Sequence, residues 1–459
     1  FRSFTTAVNN TILGVDAGYS ITTGGHNVMI GYGAGDDITT GGWNVIIGGG
    51  GTRNYGADFG NNIAIGYDAL SAGNANFYRA IAIGRGAANK NTTNDQIAIG
   101  YEAMKVHTTG GNNIAIGSYA MDDTDAGSTS LGSTHNVFIG LDAGGGTWAD
   151  AASSYNVTVG NYTMNNALNG AVYNIAMGYG ALSSTTSADS NVAIGYLAGN
   201  DITTGGSNVL LGYQAGDNAS TLGSSIGIGY QSLGGANSTL LTGANASVAI
   251  GYQAAGNASG NWGNGVYIGY LAGNHDTSGG NVAVGYRAME TASGSAMTKN
   301  TAIGILSQQN ISYDNSQNNT SLGWGTLQAG SVTGQIKDNV AIGMGALAAV
   351  TSAVGNTAIG GRSALALLTT GDNNVAIGLG AGQSATTTSE LTLIGNSAGN
   401  LLDGTNPNGT IAIGFRALQT HTTGRRNIAI GWEAMHDTNA GSTSQGSDDN
   451  VFIGYAAGG

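Results

Sequence analysis

One nine-residue stretch, Asn27-Val28-Met29-Ile30-Gly31-Tyr32-Gly33-Ala34-Gly35, returns with small changes through the whole chain. Residues 62–67, 191–196 and 374–378 are further copies. Aligned on the central glycine, about 25 copies run from Gly14 to Gly454, mostly 16 to 20 residues apart and 22 or 23 apart in a few places. A period this short, held over 459 residues, is that of a solenoid in which each repeat forms one coil and touches only its neighbours.

The motif glycine serves below as position zero. Position minus four is Asn in about 18 of 25 copies, minus three and minus one are almost always Val, Ile, Leu or Thr, and minus two is usually Ala. This alternation predicts a strand of three or four residues. On hydrophobicity, the branched residues are expected in the core and the residue at minus two outside, so Val28 and Ile30 face in and Met29 faces out. Position plus three is Ala in about 19 copies, such as Ala17, Ala69, Ala198 and Ala434, and suits a narrow interior. Clusters such as Thr39-Thr40-Gly41-Gly42 and Thr203-Thr204-Gly205-Gly206 then close the coil as turns. Helices are excluded because Gly and Asn recur in every window, and each Gly costs about 1 kcal/mol relative to Ala there. The expected fold is all-β: a parallel β-solenoid of about 25 coils, forming a single continuous array over residues 1–459.

Composition narrows the alternatives. The 82 glycines lack collagen's every-third spacing, and the single Pro excludes a triple helix. With 41% hydrophobic and 8% charged residues the chain is ordered, not disordered. The net charge of -13 offers no basic patch for nucleic acid, and no apolar run reaches membrane-spanning length. With no cysteine, a disulfide framework and thiolate metal sites are excluded. A chain that starts at Phe1 and stops at Gly459 just after a motif reads as a segment of a longer fibre.

Stacked coils set like residues over like. The asparagines at minus four, among them Asn27, Asn44, Asn191, Asn208, Asn281, Asn356 and Asn374, are expected to form an amide ladder. Position plus one carries Tyr in seven successive coils, Tyr179, Tyr196, Tyr213, Tyr230, Tyr252, Tyr270 and Tyr286, and predicts an aromatic ladder along one edge. Trp324, Phe415 and Trp432 fill the same slot elsewhere. Residues 97–144 and 411–458 align without gaps and match at roughly 32 of 48 positions, the mark of a duplicated block. Each block holds a 23-residue coil whose extra residues are expected to bulge outward.

The Asn-Val-Ala-Ile-Gly core with its trailing Ala resembles the head repeats of trimeric autotransporter adhesins of the YadA-like type. It is similar also to the Asn-Thr-Ala-Ile-Gly-Tyr arrays of phage tail fibres and bacterial surface proteins. Residues 10–14, Asn300-Thr301-Ala302-Ile303-Gly304 and Asn356-Thr357-Ala358-Ile359-Gly360 carry the likeness, which extends over nearly the entire chain. The coils here are longer than the adhesin head repeat. The resemblance implies a left-handed β-roll, a homotrimer and a role in attachment.

No residue set marks catalysis, a metal or a cofactor. Acidic residues, among them Asp16, Asp68, Glu102, Glu290 and Glu433, are expected on solvated turns, with no pair marked as the opposed carboxylates of a polysaccharide-cleaving enzyme. The six histidines, His26, His107, His135, His275, His421 and His436, match no ligand spacing and are expected at the surface. Tandem calcium nonapeptides, three hexads per coil and a regular Thr-x-Thr face are all missing, which argues against calcium-toxin, acyltransferase and ice-binding solenoids. The tyrosine ladder could stack against sugars, although covering the coil edge or sealing an interface between chains accounts for it better. The reading that follows is a non-enzymatic, extracellular, structural or adhesive fibre segment. It is expected to be a homotrimer, with a cell-surface glycan or host receptor as candidate partner, no nucleic acid and no membrane insertion. A self-assembling filament and a polysaccharide-degrading tailspike are the alternatives.

Overall fold

In most described coils the chain runs straight for only three residues before the motif glycine turns it. The computed structural model describes residues 6–49, 59–71, 78–124, 132–234, 246–257, 263–291, 297–311, 314–328, 332–403, 407–437 and 448–459. They form two compact units, residues 1–224 and 225–459, and each is a parallel β-solenoid. The first holds twelve described strands, from β1 (Thr11–Leu13), β2 (Val28–Ile30) and β3 (Val45–Ile47) to β12 (Val209–Leu211). The second runs from β13 (Ile226–Ile228) to β27 (Val451–Ile453). It includes a short second sheet made by β19 (Ile336–Lys337) and β21 (Ala353–Val354). The residues that lengthen the 23-residue coils lie outside the described set.

Register is set by the motif. Val28 lies between Thr11 and Val45, Met29 between Ile12 and Ile46, and Ile30 between Leu13 and Ile47. The motif glycines stack as well. At Gly31 the backbone has φ +133° and a Cβ would lie 2.3 Å from the carbonyl oxygen of Gly48, so only glycine allows the coils to close to strand spacing there. One departure occurs between β20 (Val340–Met344) and β22 (Thr357–Arg362), where an extra residue beyond the glycine pairs Met344 with Arg362 through a bulge.

The structure reverses the expected facing of the strands. Met29, Ile46, Phe138, Leu210 and Tyr267, all at minus two, are fully buried, as are the alanines that hold this position elsewhere. Val28 and Ile30 are half-exposed instead. The cause is the asparagine at minus four. Its amide must point inward to reach the neighbouring coils, and the two-residue period of a strand then carries position minus two inward with it.

The interior obeys a size exchange between positions minus two and plus four. Where minus two is Ala, plus four is commonly a buried Leu or Met: Ala64 with Leu70, Ala98 with Met104, Ala115 with Met121, Ala283 with Met289. Where minus two is large, plus four is mostly Gly: Met29 with Gly35, Phe138 with Gly144, Leu210 with Gly216, Leu393 with Gly399, while Ile46 is followed there by Thr52. A Cβ on Gly144 would lie 2.6 Å from the Phe138 ring, and one on Gly216 would lie 2.7 Å from the Leu210 side chain. Each layer therefore admits one large side chain, as a close-packed interior requires. Ala193 with Gly199 and Ala376 with Gly382 depart from the pairing: Leu182 and Leu210 of the adjacent coils, with Ile202 of the same coil, fill the space at Gly199, and Leu365 and Leu393 fill it at Gly382.

Tyr267 is the largest departure in the second unit. Gly265 and Gly273 both lie against its ring, so position minus four of this coil has no asparagine. The buried Asp276 takes over as acceptor: its carboxylate receives the Tyr267 hydroxyl at 2.6 Å, the Asn281 amide at 2.8 Å and the backbone N–H of Ser278 at 2.9 Å. Burial pushes the Asp276 carboxyl up from its ordinary range, against the opposing pull of these donors. Asp276 and Glu290 are both buried, so the solvated-turn expectation fails for them. Glu290 accepts Arg287 Nε at 2.7 Å and Gln309 Nε2 at 2.8 Å.

Candidate functional site

Two kinds of column run along each unit: inward ones that build it, and outward ones that are free to meet something else. The asparagine ladder is inward. Asn27, Asn44, Asn191, Asn208, Asn281, Asn356 and Asn374 are all buried. The Asn27 Oδ1 accepts both the backbone N–H of Asn44 at 2.9 Å and its Nδ2 at 3.0 Å, while Asn44 Nδ2 also donates to Phe59 O at 3.0 Å. The same pattern joins Asn191 to Asn208 in the first unit and Asn356 to Asn374 in the second. Every amide is thus used between coils, and none is offered to a ligand.

Two of the six histidines prove to be inward too. His107 and His421, equivalent in the duplicated block, are buried, contrary to the surface expectation. They stand seven residues beyond the motif glycine, in the column that Ile21, Ile38 and Ile202 occupy elsewhere. His107 places Nδ1 2.7 Å from Thr124 Oγ1 and Nε2 2.8 Å from Gly110 O. Burial lowers the pKa of His421. Turn-like neighbours in the sequence concealed this burial.

The outward face of each sheet is made by positions minus three, minus one and plus one. Among the described strands the first two are Val, Ile, Leu or Met, with Thr as the only polar type, at Thr11, Thr301, Thr320, Thr357 and Thr392. The tyrosines continue this face and are exposed, at 42% for Tyr213 and 47% for Tyr286. In the first unit Tyr179, Tyr196 and Tyr213 stack with centroids 5.5 and 5.1 Å apart. In the second, Tyr230, Tyr252, Tyr270 and Tyr286 stack at 5.0, 5.1 and 5.2 Å with planes within 13°. A sugar needs the face of a ring to stack on. Within these runs the faces are turned to the neighbouring tyrosines and the edges are left outside.

A second outward column, at position minus five, was not singled out from the sequence. Its residues have left-handed backbone even when bulky: His26 (φ 62°), Trp43 (63°), Arg79 (60°), His135 (58°), Tyr155 (60°) and Tyr173 (59°). Such a conformation costs roughly 1–2 kcal/mol for a residue with a Cβ. The coil bonds offset it: the N–H of Trp43 donates to Gly25 O at 3.0 Å, and that of Tyr155 to Thr134 O at 3.1 Å. Neighbours along the column are chemically matched. His26 stacks on Trp43 at 4.0 Å, His135 on Tyr155 and Tyr155 on Tyr173 at 5.1 Å, and Arg79 grips Asp95 through two bonds of 2.6 and 2.8 Å. The available signal was the prevalence of Asn, Asp, Ser, Gly and His at this slot, residue types that favour turns or tolerate positive φ.

Besides Asp276, the carboxyls of Asp122, Asp142 and Asp217 have raised pKa values, each chiefly through burial. Asp122 is pushed up to about 6, first by burial and then by the charges of Asp142 and Asp123. Asp217 is pushed up to about 6 by burial and Asp201. Among the described residues no group of three or more His, Cys, Asp or Glu could hold a metal ion, and no helix is long and apolar enough to cross a membrane. An open polar depression lined by Thr92, Thr93, Asn94, Asp95, Gly111 and Asn112 lies in the first unit, where Arg79 already occupies both Asp95 oxygens. Neither the protein-family models nor the curated proteins compared with this chain give a match.

Proposed function

We propose that the chain is a structural and adhesive segment of an extracellular fibre, a homotrimer in which the outward sheet faces of three copies pack together. The observation that carries this reading is the continuous apolar face of each unit. Coils about 4.8 Å apart and residues about 3.3 Å apart give each coil on the order of 60 Å² between positions minus three and plus one. The twelve described strands of the first unit then offer roughly 750 Å², interrupted only by Thr11 and, at position plus one, by Arg85, Ser118 and Asn161. Monomeric proteins rarely expose apolar patches beyond a few hundred Å², whereas a stable interface uses about 800 Å² per partner. A face that repeats at the coil spacing is matched best by a partner with the same repeat, which another copy of the chain supplies. The resemblance to trimeric adhesin heads and tail-fibre arrays favours three copies and a setting outside the cell. Attachment to a glycan or host receptor would then fall to outward residues, since the inward columns are occupied by the fold.

Sedimentation equilibrium of the intact chain tests the assembly. The expected mass is three times 45.6 kDa. Ile194→Asp together with Leu211→Asp, both on the outward face, should give the single-chain mass with strand content retained. A wild-type chain that stays monomeric across the concentration range would sink the proposal.

A further inference from the structure

The two edges of the apolar face vary in a linked way. At one edge stands position minus five, at the other position plus one, with the strand between them. In the first unit a large residue at minus five accompanies a non-aromatic residue at plus one: Trp43 with Gly49, His135 with Leu141, Tyr155 with Asn161. Where plus one is Tyr, minus five is small, as in Ser190 with Tyr196 and Ser207 with Tyr213. The second unit repeats this with Ala246 and Tyr252, Asn264 and Tyr270, Gly280 and Tyr286, and Gly409 and Phe415. His26 with Tyr32, Tyr173 with Tyr179 and Arg426 with Trp432 depart from it.

Size exchange of this kind inside the coil, between minus two and plus four, reflects direct packing. At the edges no such packing is possible within one chain. Ser207 and Tyr213 stand six positions apart, and β12 alone spans about 10 Å at about 3.3 Å per residue. We infer that the two columns meet between copies: the minus-five edge of one chain lies against the plus-one edge of the next, coil matched to coil. This deepens the homotrimer reading above and rests on it. A closed ring of identical chains related by rotation alone sets equal coils at equal height, and it joins one edge of each face to the opposite edge of its neighbour. The tyrosine ladder is then an interface seal with small partners opposite it, and the bulky left-handed residues at minus five fill the places where the ladder is interrupted.

The absence of cysteine makes disulfide trapping direct. A chain carrying Ser207→Cys and Tyr213→Cys, oxidised in its native assembly, should run as a covalent closed trimer on a denaturing gel, while either single variant stays uncrosslinked. A disulfide needs Cα atoms within about 7 Å, which the two sites of one chain do not offer across the strand. Ser190→Cys with Tyr196→Cys repeats the test one coil away, in case the first pair disturbs folding. A trimeric mass with no crosslink from either pair overturns this inference and leaves the homotrimer standing. A monomeric mass for the unmodified chain overturns both.

Discussion

Among the described residues, the blocks 97–144 and 411–458, one in each unit, hold nearly the same interior beneath different surfaces, with Met104 against Leu418 a fully buried exchange. Ala98 and Ala412, His107 and His421, Asn113 and Asn427, Ala115 and Ala429, and the pairs Phe138 with Gly144 and Phe452 with Gly458 are identical in type. The differences gather outside. Gly111, Asn112, Thr134 and His135 become Arg425, Arg426, Asp448 and Asp449, and Tyr119 becomes Glu433. The new charges arrive as matched pairs in adjacent coils: Arg426 holds Asp449 through bonds of 2.6 and 2.8 Å, and Arg425 stands 3.9 Å from Asp448. An inward residue answers to the coils above and below it, so changing it alone breaks several fits. An outward residue answers mainly to its neighbours along one column, so a pair can change together.

The largest effect that would test this contrast is at the stacked glycines. Gly117→Ala would set a Cβ 2.1 Å from the Gly140 oxygen at φ +141°, and Gly431→Ala meets the Gly454 oxygen at 2.3 Å. Each should cost roughly 3 kcal/mol or more, with loss of cooperative thermal unfolding near the site. A melting temperature unchanged by either would show that the coils are not held by glycine contact.

Next in size is the exchange inside one coil. Gly144→Met with Phe138 retained overfills the layer and should cost about 1–3 kcal/mol in denaturant unfolding. Adding Phe138→Ala recreates the Ala115 and Met121 arrangement and should recover most of that loss. If the double variant is no more stable than Gly144→Met, the two positions do not share a layer.

The smallest expected effect is a pH dependence at Asp122, which the second block replaces with His436. Its folded pKa of about 6 lies above the ordinary value of 3.8, so the folded state binds more protons between those limits. The stability it contributes is present below about pH 4 and is lost as pH rises through 6. The difference in melting temperature between wild type and Asp122→Asn should therefore fall over that window and be flat above it. A difference independent of pH would mean that Asp122 is not desolvated by its coil.

Much of the molecule was legible because stacking turns a repeat in sequence into a column in space. The asparagine ladder and the tyrosine ladder both followed from counting positions. The minus-five column was hidden because its members differ in type, and a column of unlike residues gives no repeat to notice. His107 was read as a surface residue because it is polar and flanked by turn residues, and Asp276 occupies the same place in its coil, seven residues beyond the motif glycine. Both stand in an inward column where the surrounding coils supply hydrogen-bond partners.

The sequence by itself determined the period, the parallel solenoid, the position of the turns and which residues lie above one another. Those follow from identity at a fixed interval and from the steric demands of glycine. Only the tertiary structure decided which side of the three-residue strand is the interior. The inward amide of position minus four outweighs the greater hydrophobicity of minus three and minus one, because a buried asparagine bonded in every coil sets the alternation for the residues beside it. The apolar face is thereby turned outward, and the chain's most hydrophobic positions become its surface.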